Sequence, residues 1–571
     1  MREKLRIGVL AAPGGSVEGW EAYILSQLAA DAALEFTAVI EHQEAAGAAS
    51  GFGKKLRKRW RRIPHALAQR VVEGMDGWVA RSAYRSIGKF EVDQRYPISE
   101  MLPNVPTLSV VAVESQSGLV QRFNQESLEK VRACELDLLL RFGFKILRGE
   151  ILSAARFGVL SYHHADNRNN RGGPCGFWEV YYDSEQTGAT LQVLTEELDG
   201  GIAVRRALYP THRLSWNGNR RRLRATSTWL MIDAVRELAR ERRWTPVVDC
   251  RPVRAYSYPL YVQPDFVRSL AFAGKLLGRF LAHAASRLLN VRQWRILYRV
   301  GATPCSGEPS SPPTNLVLWK LKQLVPPRGR FFADPFLHWH QGKLYLFVED
   351  YRRSTGKAVI SWFEWAESDW KYGGVALECP YHLSYPFLFE HDERIYMIPE
   401  SCESGRIELW EAEAFPQQWK LARVLLDDIV AVDSTLLLRD GTYYLFTNVD
   451  RAGIGDPGTE LHIYFTDDLL QGEWQAHPRN PVLQDCSVAR NAGGFFRDQQ
   501  GRLIRAAQAN GSDYGQGLVF REVYNLSQRE YQERTLETVL PRWDPNLFGM
   551  HHVQFAQGSV VLDALYAVSR F

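Results

Sequence analysis

No Cys-x-x-Cys pair occurs in the 571-residue sequence, although it holds seven cysteines. They are scattered as Cys134, Cys175, Cys250, Cys305, Cys379, Cys402 and Cys486. An odd, dispersed set excludes a disulfide framework, argues against a zinc site and favours a reducing compartment, so no metal is expected. No Gly-x-Gly-x-x-Gly follows the first apolar run, Leu5–Leu10, so the Gly14-Gly15 turn is not a dinucleotide fingerprint. Long uninterrupted apolar runs are missing as well. Phe266–Leu297 is broken by Arg268, Lys275, Arg279, Arg287, Arg292 and Arg295, too often to span a bilayer. The opening residues, Met1-Arg-Glu-Lys-Leu-Arg6, run straight into a strand, and no signal peptide is expected. Charge of one sign is not in excess: the net charge of +4 singles out no partner. No recognised RNA- or DNA-binding motif accompanies the basic runs, so nucleic acid is not an expected partner.

What the chain does have is an ordinary globular balance, 45% hydrophobic and 23% charged. Its length calls for two or three domains. The first half reads as a parallel α/β sheet. Leu5–Leu10, Phe36–Ile40, Leu136–Leu140 and Gly158–Tyr162 are short apolar strands, with a helical stretch near Ala22–Ala33. A closing helix is expected over Thr226–Arg243, opened by Ser227-Thr228 and apolar at Leu230, Ile232, Val235 and Leu238.

Between those strands stands Ser161-Tyr-His163-His164, leading to Arg171-Gly172, then Thr187-Gly188 and Leu198-Asp199-Gly200-Gly201. This order resembles the folate-dependent formyltransferases, whose pattern is Asn-x-His…Arg-Gly, then Thr-Gly and Leu-Asp-x-Gly. The resemblance implies a Rossmann-like sheet, 10-formyltetrahydrofolate as formyl donor, and a primary amine as acceptor. It implies His163 as proton shuttle and oxyanion donor, with Asp199 as its orienting carboxylate. Ser161 departs from the family's asparagine and implies a reduced oxyanion donor, since a hydroxyl offers one short hydrogen bond. The loop Phe142, Gly143, Phe144, Ile146 and Leu147 looks like the family's folate-side loop, and Arg171 and Gly172 close the site.

From about Phe331 the grammar changes to short strands rich in aromatic and β-branched residues, bounded by turns. A weak repeat aligns Asp334, Tyr385, Asp433, Asn491 and His552, at steps of 51, 48, 58 and 61 residues. Five such units read as an all-β five-bladed propeller, each innermost strand opening with a polar residue near the channel. Phe332-Ala-Asp-Pro-Phe-Leu337, Tyr381-His-Leu-Ser-Tyr-Pro386 and Met397-Ile-Pro-Glu-Ser401 resemble family-43 glycoside hydrolases. More closely, they resemble the propeller region of plant glucosamine inositolphosphorylceramide transferases. The resemblance implies Asp334 and Asp433 as carboxylates of a glycan site. The hydrolases' blade-four glutamate is replaced by Arg490-Asn491, and Glu349, Glu400 or a histidine at 551–552 is a candidate substitute. Capping of strand starts by Asp334 and Asp433 is the competing structural reading.

The expected organisation is a formyltransferase-like domain over 1–250 with a basic insertion at about 50–95, an amphipathic helical linker over 251–315, and the propeller over 316–571. Ser306–Pro313 reads as a flexible connector. Lys54–Arg62 and the basic helix are candidates for peripheral contact with the inner face of a membrane. The expected function is transfer of a formyl group to an amino sugar, nucleotide- or lipid-linked, in surface polysaccharide biosynthesis in the cytoplasm, with a glycan in the propeller channel. The alternatives are a glycan-binding or glycosidase-like protein with a degenerate formyltransferase domain, and a scaffold docked on membrane.

Overall fold

The computed structural model describes residues 3–43, 76, 84–247, 255–301, 316–511 and 514–569. The basic run Lys54–Arg62 and the Ser306–Pro313 connector lie outside them. The chain divides into two compact units, one built from 1–282 and the other from 283–571, apart from 452–454, which cluster with the first.

Among the described residues, the first unit is built on a seven-stranded sheet, with smaller two- and three-stranded sheets besides. The strands of the large sheet are β1 (Leu5–Ala11), β2 (Leu34–His42), β3 (Thr107–Val110), β4 (Leu138–Arg141), β5 (Val159–His163), β6 (Gln186–Val193) and β7 (Ile202–Pro210). Their order is β7-β6-β5-β4-β1-β2-β3. The β3-β2-β1-β4-β5 part is parallel, and β6 and β7 are antiparallel additions. Strand residues alternate between the two faces. Leu138, Leu140 and Leu160 enter one core with α1 (Gly19–Ala29); Leu139 and Val159 enter the other with α2 (Gln125–Arg132). A sheet covered on both faces explains why the strands read as continuous apolar runs. The crossover changes direction at β1, which has β2 on one side and β4 on the other. Open α/β sheets bind ligands at such a point, outside the carboxyl ends of the strands.

Two expectations of local structure are corrected. After α3 (Phe177–Tyr182), the helix expected to start at Ser227-Thr228 is α4, Trp216–Glu241. Ser215 caps it by accepting from Gly218 N at 2.9 Å. Ser227 and Thr228 lie inside it, the Thr228 hydroxyl folded back on Ala225 O at 2.9 Å. The arginines between Arg220 and Arg224 had blurred its apolar period. The basic stretch Phe266–Leu297 is not one helix either. It is α5 (Phe266–Leu289) followed by β8 (Asn290–Arg299). Here pairing decides: β8 runs antiparallel to the last strand of the chain, Ser559–Ser569, along its whole length. Leu260–Tyr261 meanwhile pairs with Arg171–Gly172. The segment 251–315 thus contributes to both units.

Among the described residues, the second unit consists of five antiparallel sheets of four or five strands. Three of them open with long strands, β9 (Arg330–His340), β10 (Ser384–His391) and β11 (Ala431–Arg439). Each of these breaks register at the residue that the sequence repeat aligns. Asp334, Tyr385 and Asp433 all adopt left-handed backbone, with φ of 48°, 45° and 51°. Such a kink is costly for residues with a Cβ and persists only where the surroundings fix it.

Candidate functional site

In the first unit, β4 and β5 deliver the chemistry from adjacent carboxyl ends. Ser161 and His163 are two apart on β5 and so share a face; both are buried. His163 Nδ1 lies 3.5 Å from Asp199 Oδ1, and Nε2 lies 2.7 Å from the Asn170 carbonyl. That carbonyl accepts the Nε2 proton, which leaves the Nδ1 lone pair facing the carboxylate side. Asp199 is itself held: its Oδ2 accepts from Gly172 N at 2.9 Å, on a left-handed turn with φ of 49°. Gly172 has φ of 104°, and a Cβ there would meet Tyr261 O at 2.0 Å. Only glycine therefore allows that amide to reach Asp199.

Arg141, the last of β4, opens the loop that resembles the folate-side loop, but sequence reasoning gave it no role of its own. Its Nη1 donates to the Ser161 hydroxyl at 3.0 Å, and its Nη2 to the carbonyls of Phe144 and Lys145 at 3.0 and 2.9 Å. Its Nε is buried and makes no hydrogen bond. Burial lowers its pKa against the pull of Asp199 and Glu21. The Ser161 hydroxyl, expected to face substrate, instead accepts a hydrogen bond from the Arg141 guanidinium and donates to Tyr162 O at 3.3 Å. One signal was available: a cation ending the apolar run Leu136–Leu140.

Arg141 also clamps the Phe142–Leu147 loop. Phe142 and Gly143 donate to Leu10 O at 2.9 and 2.7 Å, and Phe144 is left-handed and tilted on Phe123. Ile146 and Leu147 pair with Val120 and Gln121. Arg171 stacks over Tyr256, its guanidinium 4.5 Å from the ring centroid, and pairs with Glu197 at 2.5 Å. Both line a pocket of about 140 Å³ with Asn167, Arg206 and Ile202. His164 is core: it stacks on Tyr162, meets Trp20 edge-on, and burial pulls its pKa down to about 3.

In the second unit, the repeat residues converge. Tyr385 N donates to Asp334 Oδ2 at 3.3 Å, Gly493 N to the Tyr385 hydroxyl at 2.9 Å, and Asn491 Nδ2 to Asp433 O at 2.8 Å. Asp563 receives the amides of Asp334, His551 and His552. His551 sits between Asp563 at 2.6 Å and Asp334 at 3.5 Å. Burial disfavours its charge, but the Asp563 and Asp334 carboxylates reverse that and lift it to about 9. Burial raises Asp334 well above the carboxylate range and drops His552 to about 3. Glu400 is pushed up to about 8, by burial and then by the charge of Asp433. Asp433 pairs with Arg490 at 2.6 Å. Glu400 and Asp433 are close enough to share a side-chain hydrogen bond, tighter than the spacing of two carboxyl groups that flank a glycosidic bond. Asp334, His551 and Asp563 also bring three donor atoms within 4.8 Å, close enough to hold a cation. Arg490 and His551 stand beside repeat positions that the sequence had singled out, whereas Asp563 is brought here only by the fold.

Residues 320–544 match the family model described as glucosamine inositolphosphorylceramide transferase 1, N-terminal. The glucosamine inositolphosphorylceramide transferase 1 of Arabidopsis thaliana is 36% identical over 210 residues, 36% of this chain and 27% of that protein. A methionyl-tRNA formyltransferase of Bacillus cytotoxicus is 35% identical over 78 residues, 14% of this chain and 25% of that protein. The chain thus spans about a quarter of the length of these curated relatives. Among solved structures, glycinamide ribonucleotide transformylase 1 from Symbiobacterium toebii aligns at 17% identity and a TM-score of 0.28, covering 44% of this chain and 93% of that one. A family 117 glycoside hydrolase of Zobellia galactanivorans aligns at 13% identity and 0.31, covering 42% and 85%. The second half of the chain is similar to plant glucosamine inositolphosphorylceramide transferases, and a 78-residue stretch is similar to a formyltransferase.

Proposed function

We propose that the first unit is an N-formyltransferase that moves a formyl group from 10-formyltetrahydrofolate to the primary amine of a sugar. The observation that carries this reading is the convergence of Arg141, His163 and Asp199 at the carboxyl ends of neighbouring parallel strands. The residues fit the donor. Arg141 offers a buried, unspent Nε–H, and the Phe142–Leu147 loop is clamped beside it. The folate, when bound, supplies the activated formyl carbon. His163 Nδ1 would take the proton that the attacking amine sheds and pass it to the donor nitrogen as that nitrogen's bond to the formyl carbon breaks, while Asp199 orients the ring and steadies its charge. With His163 Nε2 committed to Asn170 O, Arg141 is the donor for the formyl oxygen as negative charge grows there, and Ser161 positions it.

An amino sugar is the favoured acceptor because the plant relatives are named for glucosamine, which carries a primary amine. The second unit is then a closed five-bladed propeller that holds a glycan, supported by its five sheets, the pairing of β8 with the final strand, and the converging repeat residues. A cytoplasmic site of action fits the free cysteines among the described residues. Peripheral membrane contact fits the exposed Val267, Leu270, Leu277, Leu281 and Leu288 of α5. Among the described residues no helix is long and apolar enough to cross a membrane.

The test is turnover of 10-formyltetrahydrofolate with a panel of nucleotide-linked amino sugars. His163→Ala should abolish transfer while leaving melting unchanged. If the unaltered chain formylates no amine in the panel, and a folate analogue does not bind, the reading fails. The second reading, a glycosidase-like or glycan-binding propeller, is favoured by the gathering of the buried Asp334, Glu400 and Asp433 carboxyl groups in the second unit. Glycan-array binding or hydrolysis lost in Asp334→Asn, with no formyl transfer, would establish it instead.

A further inference from the structure

We infer that His338, His340 and Glu390 form a binding site for a divalent transition-metal ion of the zinc, cobalt or nickel type. His338 and His340 are two apart on β9, beyond its register break, so both imidazoles project from the same face. Glu390 comes from β10, in the neighbouring sheet. One donor atom from each of the three lies within 4.8 Å of the others, which is the spread of ligands around one ion.

Two further observations point to a ligand. His338 is only 10% exposed, and its Nε2, 3.4 Å from Glu390 Oε1, is buried without a hydrogen-bond partner. An unsatisfied ring nitrogen of this kind is costly unless something binds it. Phe415 packs against both rings, at 5.4 Å from His338 and 4.9 Å from His340, and fixes their orientation with an apolar wall.

Two imidazoles and one carboxylate are a borderline donor set, suited to zinc and its neighbours and poor for calcium or magnesium, which take oxygen. Three protein ligands leave a position for water. The exposed Glu390 gives the ion a way in. None of the three belongs to the Asp334–His551–Asp563 group, so this site is separate from the carboxylate cluster. Because its ligands come from two sheets, a bound ion would tie them together.

The chain should be stripped with chelator and titrated with Zn²⁺ by calorimetry and with Co²⁺ by visible absorption. The expected result is one tight equivalent, an intense four-coordinate Co²⁺ spectrum, and a higher melting temperature with Zn²⁺. His340→Ala and Glu390→Gln, at positions that are not fully buried, should each weaken binding by more than about 100-fold and remove the thermal gain. His551→Ala should leave the equivalent in place. No stoichiometric binding, or binding that survives His340→Ala and Glu390→Gln while lost in His551→Ala, would overturn the site.

Discussion

At the scale of the residue, Arg141 reorganises the expected chemistry. A cation fixed to the Ser161 hydroxyl and to two loop carbonyls is preorganised, and a preorganised donor at a developing oxyanion carries about 10²–10³ in rate. Arg141→Ala should therefore cut turnover by about that factor, with Arg141→Lys recovering part of it. An unchanged rate would remove Arg141 from the reaction. In the second unit, His551 and Glu400 hold their protons more tightly folded than unfolded. A folded state that binds more protons loses stability as pH rises. The His551 contribution is complete below about pH 6.5 and gone beyond about 9, and that of Glu400 falls away through about 8. Melting temperature should decline across pH 6.5–9, and Glu400→Gln should flatten its share of the slope. A melting temperature flat or rising over that window contradicts the assignment.

At the scale of the element, the turn carrying Asp199 depends on the short pairing of Arg171–Gly172 with Leu260–Tyr261. Gly172→Ala places a methyl group 2.0 Å from the Tyr261 carbonyl, on a backbone of φ 104°. That strain costs on the order of 1–3 kcal/mol before any steric displacement. The variant should melt lower and lose transfer although His163 and Asp199 are untouched; full activity at unchanged melting would show that the pairing does not position Asp199. The helices teach the same lesson about periodicity. Apolar spacing found the buried half of α4, but its arginine-rich first turns were invisible, because a helix that carries cations on its outer face shows a weak period there. The corresponding error at β8 arose because strand pairing with a segment some 270 residues away overrides local helical pattern.

At the scale of the whole molecule, the last strand does what no local segment can. Ser559–Ser569 pairs with β8 along its length, and Asp563 on it receives three amides and the His551 ring. Removing it exposes an edge and leaves a buried imidazole unpaired. A chain truncated before Ser559 should give a second unit that melts without cooperativity or aggregates. A truncated chain with an unaltered second transition would show that the pairing is dispensable.

The sequence by itself determined the parallel α/β sheet, the order of its strands' apolar runs, the His163–Asp199 pair and the spacing of Asp334, Tyr385 and Asp433. These follow from motif order, from two-residue alternation and from a repeat, all of which are written in consecutive residues. Only the tertiary structure decided that Arg141 stands over Ser161, that Asn170 O holds His163, that Glu400 shares a site with Asp433, and that His338 and His340 meet Glu390. Each of those partners comes from a different strand or loop. Their meeting depends on register and on burial, which fix distances and pKa values through packing and have no signature along the chain.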